Sequence, residues 1–494
     1  MASERIRHFH LWLAAIVALG LTLRILAGVS GLWMDEAWSV IFARAAGDPL
    51  GVFFRLNHDN NHHLNTLWLQ LVGMRAPPLA MRAPAILCST IAIAVAARLA
   101  RRDGDVTALV TASLLAASPF FVLYGSEARG YALVTLAILL LLAETRDWLE
   151  TGNGRRGWMA VIAGLGCFSH LVMLPALGLI AGWAWVARGG LKAPLRAARD
   201  VGNALDLALI TGLTCGAFII GGAKLLGGMA VGSYNPFAGR DIIDGLAGMA
   251  GLTLGFDDIG LNAVAVVAAI ATIALASAVI PPAPKAAQRW LWLGLIAAMP
   301  LGVVLLQLGN SQFGRYYILS AIGLLLLLGN RLGALLTHRS SLRLAGMAVA
   351  GAIAVLFGVR DAILISDARA QPDRPVDIIA ARMPHGASIL ITLWRSSAPL
   401  EVAAAQRRYP LRIVGPDCAP AEYLHWPYLT RASVQPTLDH CGLRWQLIAQ
   451  RDALPPSQEN WALYRRAGSA GPSLSRRAGL PPPGAVASGP RPAL

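Results

Sequence analysis

A helix needs roughly 17 to 25 apolar residues to cross about 30 Å of hydrocarbon, and from residue 9 to about residue 358 this chain supplies such stretches repeatedly. Of its 494 residues 56% are hydrophobic and 14% are charged, against about 25% charged in soluble domains. That excludes a disordered chain and an ordinary soluble domain. The net charge of +15 is dispersed among the gaps between apolar runs and the region beyond Arg360, so nucleic acid is a poor partner. The reading is an α-helical polytopic membrane protein. The first apolar run is long and aromatic and acidic residues follow it, so no cleavable signal peptide is expected.

Eleven spans are expected, near residues 9–28, 79–98, 106–122, 129–143, 157–168, 171–187, 203–223, 260–281, 290–308, 315–330 and 342–358. The connections holding Arg5/Arg7, Arg98/Arg101/Arg102, Arg146/Arg155/Arg156, Arg188/Lys192/Arg196/Arg199, Lys285/Arg289 and Arg331/Arg339/Arg343 alternate with connections poor in Lys and Arg. By the positive-inside rule the basic set is cytoplasmic, which expects a bacterial inner-membrane protein with a cytoplasmic N-terminus and a periplasmic C-terminal part. Counting HHLNTLWLQLVGM (His62 to Met74) as a span would invert every later loop, so it is expected to be a short interfacial or re-entrant helix. The outer face then comprises residues 29–78, the turns 123–128 and 169–170, the segment 224–259, the turn 309–314 and everything after about residue 359.

Three regions follow: a membrane-embedded part, 1–358; a small α/β domain, 359–466; and a tail, 467–494. In the second, helix-like runs (Val376 to Arg382, Pro399 to Arg408) alternate with β-like ones (Ser388 to Trp394, Leu411 to Val414, Trp445 to Ile448, Trp461 to Tyr464). About 100 residues suffice for one core. The tail, rich in Gly, Pro, Ser, Ala and Arg, cannot bury one and is expected to be disordered. Cys88, Cys167 and Cys215 lie in spans as small apolar side chains, whereas Cys418 and Cys441 lie in the outer domain, where a disulfide is plausible. There is no internal repeat and no metal-type Cys pair.

Short segments carry the candidate chemistry. GLWMDEAWS, residues 31–39, sets Asp35 and Glu36 between Trp33 and Trp38 just past the first span. Trp is expected at that depth as an interfacial anchor whatever the function. The carboxylates admit two readings: acidic residues at a helix N-terminus, or a partly desolvated carboxylate serving as a general base. NHDNNHHLNTLW, residues 57–68, gathers His58, Asp59, Asn60, Asn61, His62 and His63. Imidazole and carboxylate suit a metal, yet the loop has no fixed ligand spacing, and donors to a phosphate or to sugar hydroxyls fit it better. SPFFVLYGSEARGYAL, residues 118–133, puts Glu127, Arg129 and Tyr131 at the outer interface; if helical there, Glu127 and Tyr131 share a face. A capping Glu and a snorkelling Arg are the alternative. Arg129 nevertheless lies on the side usually poor in Arg, as does Arg315 in QFGRYYIL, and this argues for an anionic partner.

Taken in order, these segments resemble the GT-C superfamily of integral-membrane glycosyltransferases, in particular the bacterial branch similar to protein mannosyltransferases and the lipid A aminoarabinose transferase. WMDEAWS is similar to the family's first-loop acidic motif and HHLNTLWLQLVG to its juxtamembrane "HPPL" helix. MRAPAIL plus ARLARR resembles the following span, SPFFVLYGSEARGYAL the second-loop motif, CFSHLVML the "THY" segment and FGRYYIL the late "RY" motif. The likeness covers about residues 9–330 and departs where His63 and Leu64 replace the family's two prolines.

The resemblance implies inverting transfer of a hexosyl or pentosyl group from a polyprenyl-phosphate sugar to a hydroxyl of an envelope lipid, glycan or protein. Asp35 is then the expected base, taking the acceptor proton, with Glu127 the second acidic residue, binding sugar or acceptor hydroxyls. Arg129 and Arg315, helped by His62 or His63, are expected to stabilise the departing phosphate, with Tyr131 and Tyr316 in the same donor set. Glu36 would orient the acceptor or Asp35, and His58, Asp59, Asn60 and His170 would serve the acceptor side. Some relatives use a divalent cation, which these residues do not establish. The competing class, a transporter or flippase of a lipid-linked sugar, usually places polar groups near the midplane on broken helices. Here the ionisable residues concentrate at one interface, with Arg24 near a span end, and an enzyme is favoured.

Overall fold

The computed structural model describes residues 2–231, 234–256, 262–279, 286–338, 341–428, 433–454 and 459–468. Its helical part comprises α1 (Ala2–Gly28), α2 (Met34–Ala45), α3 (Gly51–Phe54), α4 (His63–Val72), α5 (Pro78–Ala100), α6 (Asp105–Ala117), α7 (Pro119–Gly125), α8 (Tyr131–Thr151), α9 (Arg156–Ser169), α10 (Met173–Ala187), α11 (Pro194–Leu225), α12 (Gly239–Leu254), α13 (Ala263–Val279), α14 (Ala286–Leu306), α15 (Ile318–Thr337) and α16 (Ser341–Asp367). Each expected span falls on one of these helices, the third on the pair α6 and α7. By length and composition α1, α5, α11, α15 and α16 can cross a membrane, and α6 with α7 makes a sixth if counted as one bent span; α10, α13 and α14 are apolar but shorter. The segment around His62 forms α4, whose 10 residues rise only about 15 Å, and it lies against α2, α5 and α9. The segment 224–259, expected on the outer face, holds α12, a helix the charge pattern did not announce, packed on the turn 314–317.

Two local features shape the bundle. Gly329 and Gly333 of α15 lie one turn apart against α6, where a Cβ on either would come within 2.3 Å of Thr111 or Thr107 Oγ1; small residues let membrane helices approach this closely. Pro119 opens α7, which meets α6 at 59°. The break leaves the last carbonyls of α6 without helical partners, and fully buried Arg24 donates to the Leu115 and Ala116 carbonyls and to Ser89 Oγ. Arg24 therefore caps a broken helix. The same break folds the turn 127–130 into the bundle.

α16 continues unbroken past residue 358. After it, Ala368, Arg369, Ala370 and Gln371 adopt left-handed φ of 49°, 56°, 58° and 49°, a conformation that costs L-residues energy and persists only when surrounding structure enforces it. Trp461 Nε1–H donates to the Ala370 carbonyl at 2.8 Å, and the Ala370 N–H to the Asp367 carboxylate at 3.1 Å. The C-terminal domain follows as α17 (Arg374–Arg382), β1 (Ala387–Ile391), α18 (Ser397–Gln406), β2 (Leu411–Val414), β3 (Tyr423–Tyr428), β4 (Thr437–His440), β5 (Leu443–Arg451) and β6 (Asn460–Arg466). The sheet order is β2-β1-β3-β6-β5-β4, with β1 parallel to β2 and β3 and the other pairs antiparallel.

β3 was not expected, because Pro427 interrupts it; that residue lies beyond His425, the last residue β1 pairs with, so its missing N–H breaks no ladder bond there. Val376, Ile379, Ile389, Leu400 and Trp461 fill one face of the domain, and Leu424, Trp445 and Tyr464 the other. Cys418 and Cys441 are disulfide-bonded, with Cα atoms 5.4 Å apart, and Cys88, Cys167 and Cys215 are free. α18 rests on α2, with Trp38 Nε1–H donated to the Arg395 carbonyl and Gln406 Nε2 to the Ala76 carbonyl, each at 3.0 Å. From residue 469 on, the tail expected to be disordered lies outside the described residues.

Candidate active site

Asp35 and Glu36 open α2, and consecutive helical residues point about 100° apart. Glu36 turns inward, fully buried, with its carboxylate 2.8 Å from Arg82 Nε and 2.5 Å from Arg82 Nη2, accepting also the N–H groups of Ala128 at 2.7 Å and Trp33 at 3.3 Å. Arg82 spends its remaining hydrogens on the carbonyls of Gly28, Ser30 and Gly31. Burial pushes the Glu36 carboxyl up, but Arg82 and the Ala128 N–H outweigh it, and the net shift is downward. The expectation that Glu36 orients the acceptor is corrected on this geometry: its oxygens are occupied and shielded, and it ties the start of α2 to α5 and to the turn 127–130.

Asp35 faces the site. Its side chain is 24% exposed, and its Oδ2 meets Arg129 Nη1 at 2.8 Å and Arg315 Nη1 at 3.1 Å. Both contacts fall on Oδ2, and among the described residues nothing bonds Oδ1. Asn60 braces the cluster: its Oδ1 accepts from Arg129 Nη2 at 2.5 Å, and its Nδ2 donates to the Asp35 carbonyl at 2.7 Å and to Ser39 Oγ at 3.0 Å. The Arg129 guanidinium stands 5.1 Å from the Tyr131 ring, and that of Arg315 stands 4.7 Å from Phe313 and 5.5 Å from Tyr316. Cations over aromatic faces keep some of the attraction they lose with water.

Glu127 is fully buried. α8 starts only at Tyr131, so the two residues share no helical face. One Glu127 oxygen pairs with Arg369, and Oε2 has no partner among the described residues. Burial raises the Glu127 carboxyl, opposed chiefly by Arg369. Arg369 also lies 5.1 Å from the Trp33 ring. Nothing in the sequence marks Arg369, which stands 242 positions from Glu127 in a polar stretch after the last span. Arg82 stands inside MRAPAIL, yet an Arg at the start of a span reads as snorkelling.

The histidines form a second wall. His62, at the start of α4, has Nδ1 3.2 Å from the Ser169 carbonyl, and its ring stacks on His170 at 5.2 Å. His63 stacks on Phe53 at 5.2 Å, and His58 lies 2.7 Å from Asp59. All five residues line one recess of about 630 Å³ with Phe53, Phe168 and Phe218; Asn60 belongs to the Asp35 cluster instead. Burial holds His62 well below the usual imidazole range, with Arg129 adding to it, and brings His63 to about 4 and His170 to about 3. Burial thus favours the neutral form of both imidazoles, in which each ring still has one N–H to donate.

In the cluster, Arg129, Arg315 and Arg369 face Asp35 and Glu127, leaving one positive charge over. Burying an uncompensated charge costs several kcal/mol, and an anion offsets that. Each of these two carboxylates meets a guanidinium through one oxygen, and among the described residues nothing bonds the other. The one metal-like group among the described residues is Cys418, His440 and Cys441, and its thiols are in the disulfide.

No family model matches the chain, and no curated protein does. The fold combines apolar helices, a loop carrying α2 and α4, and a small C-terminal sheet domain. Among solved structures it is similar to ArnT from Cupriavidus metallidurans bound to undecaprenyl phosphate, with a TM-score of 0.52 and 14% identity over 92% of this chain and 98% of that one. The apo form of the same protein matches with a TM-score of 0.52 over 97% of its length. An Archaeoglobus fulgidus oligosaccharyltransferase in complex with Zn and sulfate, at 14% identity, covers 84% of this chain and 67% of that one with a TM-score of 0.40, too loose a likeness to argue from. At such identities the comparison speaks for the fold, and the chemistry rests on this chain's residues.

Proposed function

We propose that the chain is an inverting glycosyltransferase moving a hexosyl or pentosyl group from a polyprenyl-phosphate donor to a hydroxyl of an envelope lipid, glycan or protein. The observation that carries this is the surplus positive charge at Arg129 and Arg315, held beside a half-engaged carboxylate in an otherwise apolar bundle. The fold likeness to a protein solved with undecaprenyl phosphate supports a polyprenyl phosphate as the anion.

In the reaction, Asp35 Oδ1 accepts the acceptor O–H proton as that oxygen forms a bond to the anomeric carbon. The bond from that carbon to the phosphate oxygen breaks on the opposite face, its electron pair leaving with the phosphate. Arg129 and Arg315 then meet more negative charge than in the ground state, which is how preorganised cations lower a barrier. Glu127, positioned by Arg369, and neutral His62 and His170 contact sugar hydroxyls. The basic loops support a cytoplasmic N-terminus and a site on the outer face of the bacterial inner membrane, and a disulfide in the C-terminal domain suits an oxidising periplasm.

The test is transfer of radiolabelled sugar in membranes holding the chain, with lipid, glycan and protein extracted separately. Label reaching one fraction only when the chain is present supports the reading and names the acceptor class. Label remaining on the polyprenyl lipid in every extract refutes it.

A further inference from the structure

The basic connections between the helices divide by whether their charges are answered. Arg98, Arg101, Arg102, Arg146, Arg155 and Arg156 each pair with a carboxylate, and Arg188 pairs with Asp200 at 3.1 Å. Lys192, Arg196 and Arg199, where α10 turns into α11, do not. All three are exposed, and among the described residues their side chains meet no carboxylate and no hydrogen-bond partner. Beside them Leu191 and Leu195 stand 70% and 86% exposed.

The turn is tied to a fixed depth. Trp185, in the last turn of α10, donates its Nε1–H to the Pro194 carbonyl at 3.1 Å, and its own carbonyl accepts the Gly190 N–H at 2.9 Å. A Cβ on Gly190 would come within 2.3 Å of the Trp185 ring, so the chain lies directly on the indole. An indole at the end of an apolar span sits at the level of the lipid headgroups, and α11, opening at Pro194, starts at that same level. Leu195, Arg196 and Arg199 then share a face of α11, at spacings of three and four.

Exposed leucines next to unanswered cations suit one boundary in particular. A leucine in water forgoes the gain of leaving it, whereas at the edge of a bilayer it enters the acyl layer while a neighbouring Lys or Arg reaches up to phosphate. The arginines paired with carboxylates have no such charge to spare.

We propose that the turn from α10 into α11 is a binding surface for anionic phospholipids, with Lys192, Arg196 and Arg199 taking the phosphate headgroups and Leu191 and Leu195 entering the acyl layer beside them. Nothing in this surface depends on the chemistry at Asp35.

The test uses the full chain in nanodiscs of equal parts phosphatidylglycerol and phosphatidylcholine, each doped in turn with its photoactivatable analogue. Label is mapped to the segment 188–199. That segment should take up more phosphatidylglycerol than phosphatidylcholine label. Arg196→Gln and Arg199→Gln should each lower the ratio about five-fold, the share of one cation near an anionic surface, and the triple variant with Lys192→Gln should bring it to the bulk ratio. Arg102→Gln, which removes a paired cation, should leave it unchanged. Lys192→Gln alone, in the connection before α11, replaces the triple variant if size exclusion shows that one misfolded. The proposal is overturned if the parent segment is labelled in the bulk ratio, or if the folded variants keep the parent's ratio. It is overturned too if a trace of unlabelled undecaprenyl phosphate removes the phosphatidylglycerol label, which would make the surface a site for that lipid instead.

Discussion

Neighbours in sequence with opposite duties should fail in opposite ways when removed, and Asp35 and Glu36 are such a pair. In Glu36→Ala, Arg82 keeps its charge at 1% exposure with both carboxylate contacts gone, and the Ala128 and Trp33 amides lose an acceptor. Removing one partner of a buried ion pair costs about 3 to 5 kcal/mol, and a stranded buried donor adds about 1 to 3 kcal/mol. Arg82 still holds three carbonyls, which offsets part of this, so the expected loss is about 4 kcal/mol. Asp35→Asn is nearly isosteric and keeps an acceptor oxygen for Arg129 and Arg315, but it removes their shared charge and should cost about 1 to 3 kcal/mol, while transfer falls about 100- to 10,000-fold. Melting in detergent, followed by fluorescence-detected size exclusion, and initial transfer rates on the folded fraction separate the two. A Glu36→Ala protein that melts normally but is inactive, or an Asp35→Asn protein with parental turnover, would refute the division of labour.

Arg315→Ala should lower kcat/KM for the polyprenyl-phosphate donor about 100- to 1,000-fold, as loss of one preorganised donor to a developing anion does; unchanged donor kinetics would remove Arg315 from the site. His62 and His170 are held neutral in the fold, so below about pH 6.5 the unfolded chain gains protons that the folded chain refuses. The stability they contribute is present above that pH and declines as pH falls toward the folded value of about 3 for His170. His170→Gln should therefore narrow the drop in melting temperature between about pH 7 and pH 5, and an identical drop would contradict the burial argument. Gly329→Ala places a methyl against Thr111 Oγ1, 2.3 Å from the ideal Cβ position, and should cost about 1 to 3 kcal/mol of stability through overpacking, read as a lower melting temperature with the donor KM unmoved.

The apolar runs, the short α4 and the alternation of helix and strand in the C-terminal domain were legible because each follows from a local count of apolar residues over a helical or strand period. Asp35, Glu127, Arg129 and Arg315 stood out for a related reason, as ionisable groups on a side that usually has few. α12 and β3 were not legible: one is an apolar helix within a segment read as a connection, the other a strand with a proline past its neighbour's last pairing. Nor did adjacency in WMDEAWS separate Asp35 from Glu36. In the fold Glu36 braces the first turn of α2, and Asp35 faces the Arg129 and Arg315 guanidiniums.

The sequence by itself determined that the chain is a membrane bundle with its few charges gathered between the apolar runs, because the hydrophobic demand of a span is a property of each segment taken alone. Only the tertiary structure decided which charge answers which. Glu36 pairs with Arg82 across 46 positions, Asp35 with Arg129 across 94, and Glu127 with Arg369 across 242. Ion pairing falls off within a few ångströms in space and carries no period along the chain, so the break at Pro119 and the left-handed turn after α16 had to bring these groups together before any of them acquired a role.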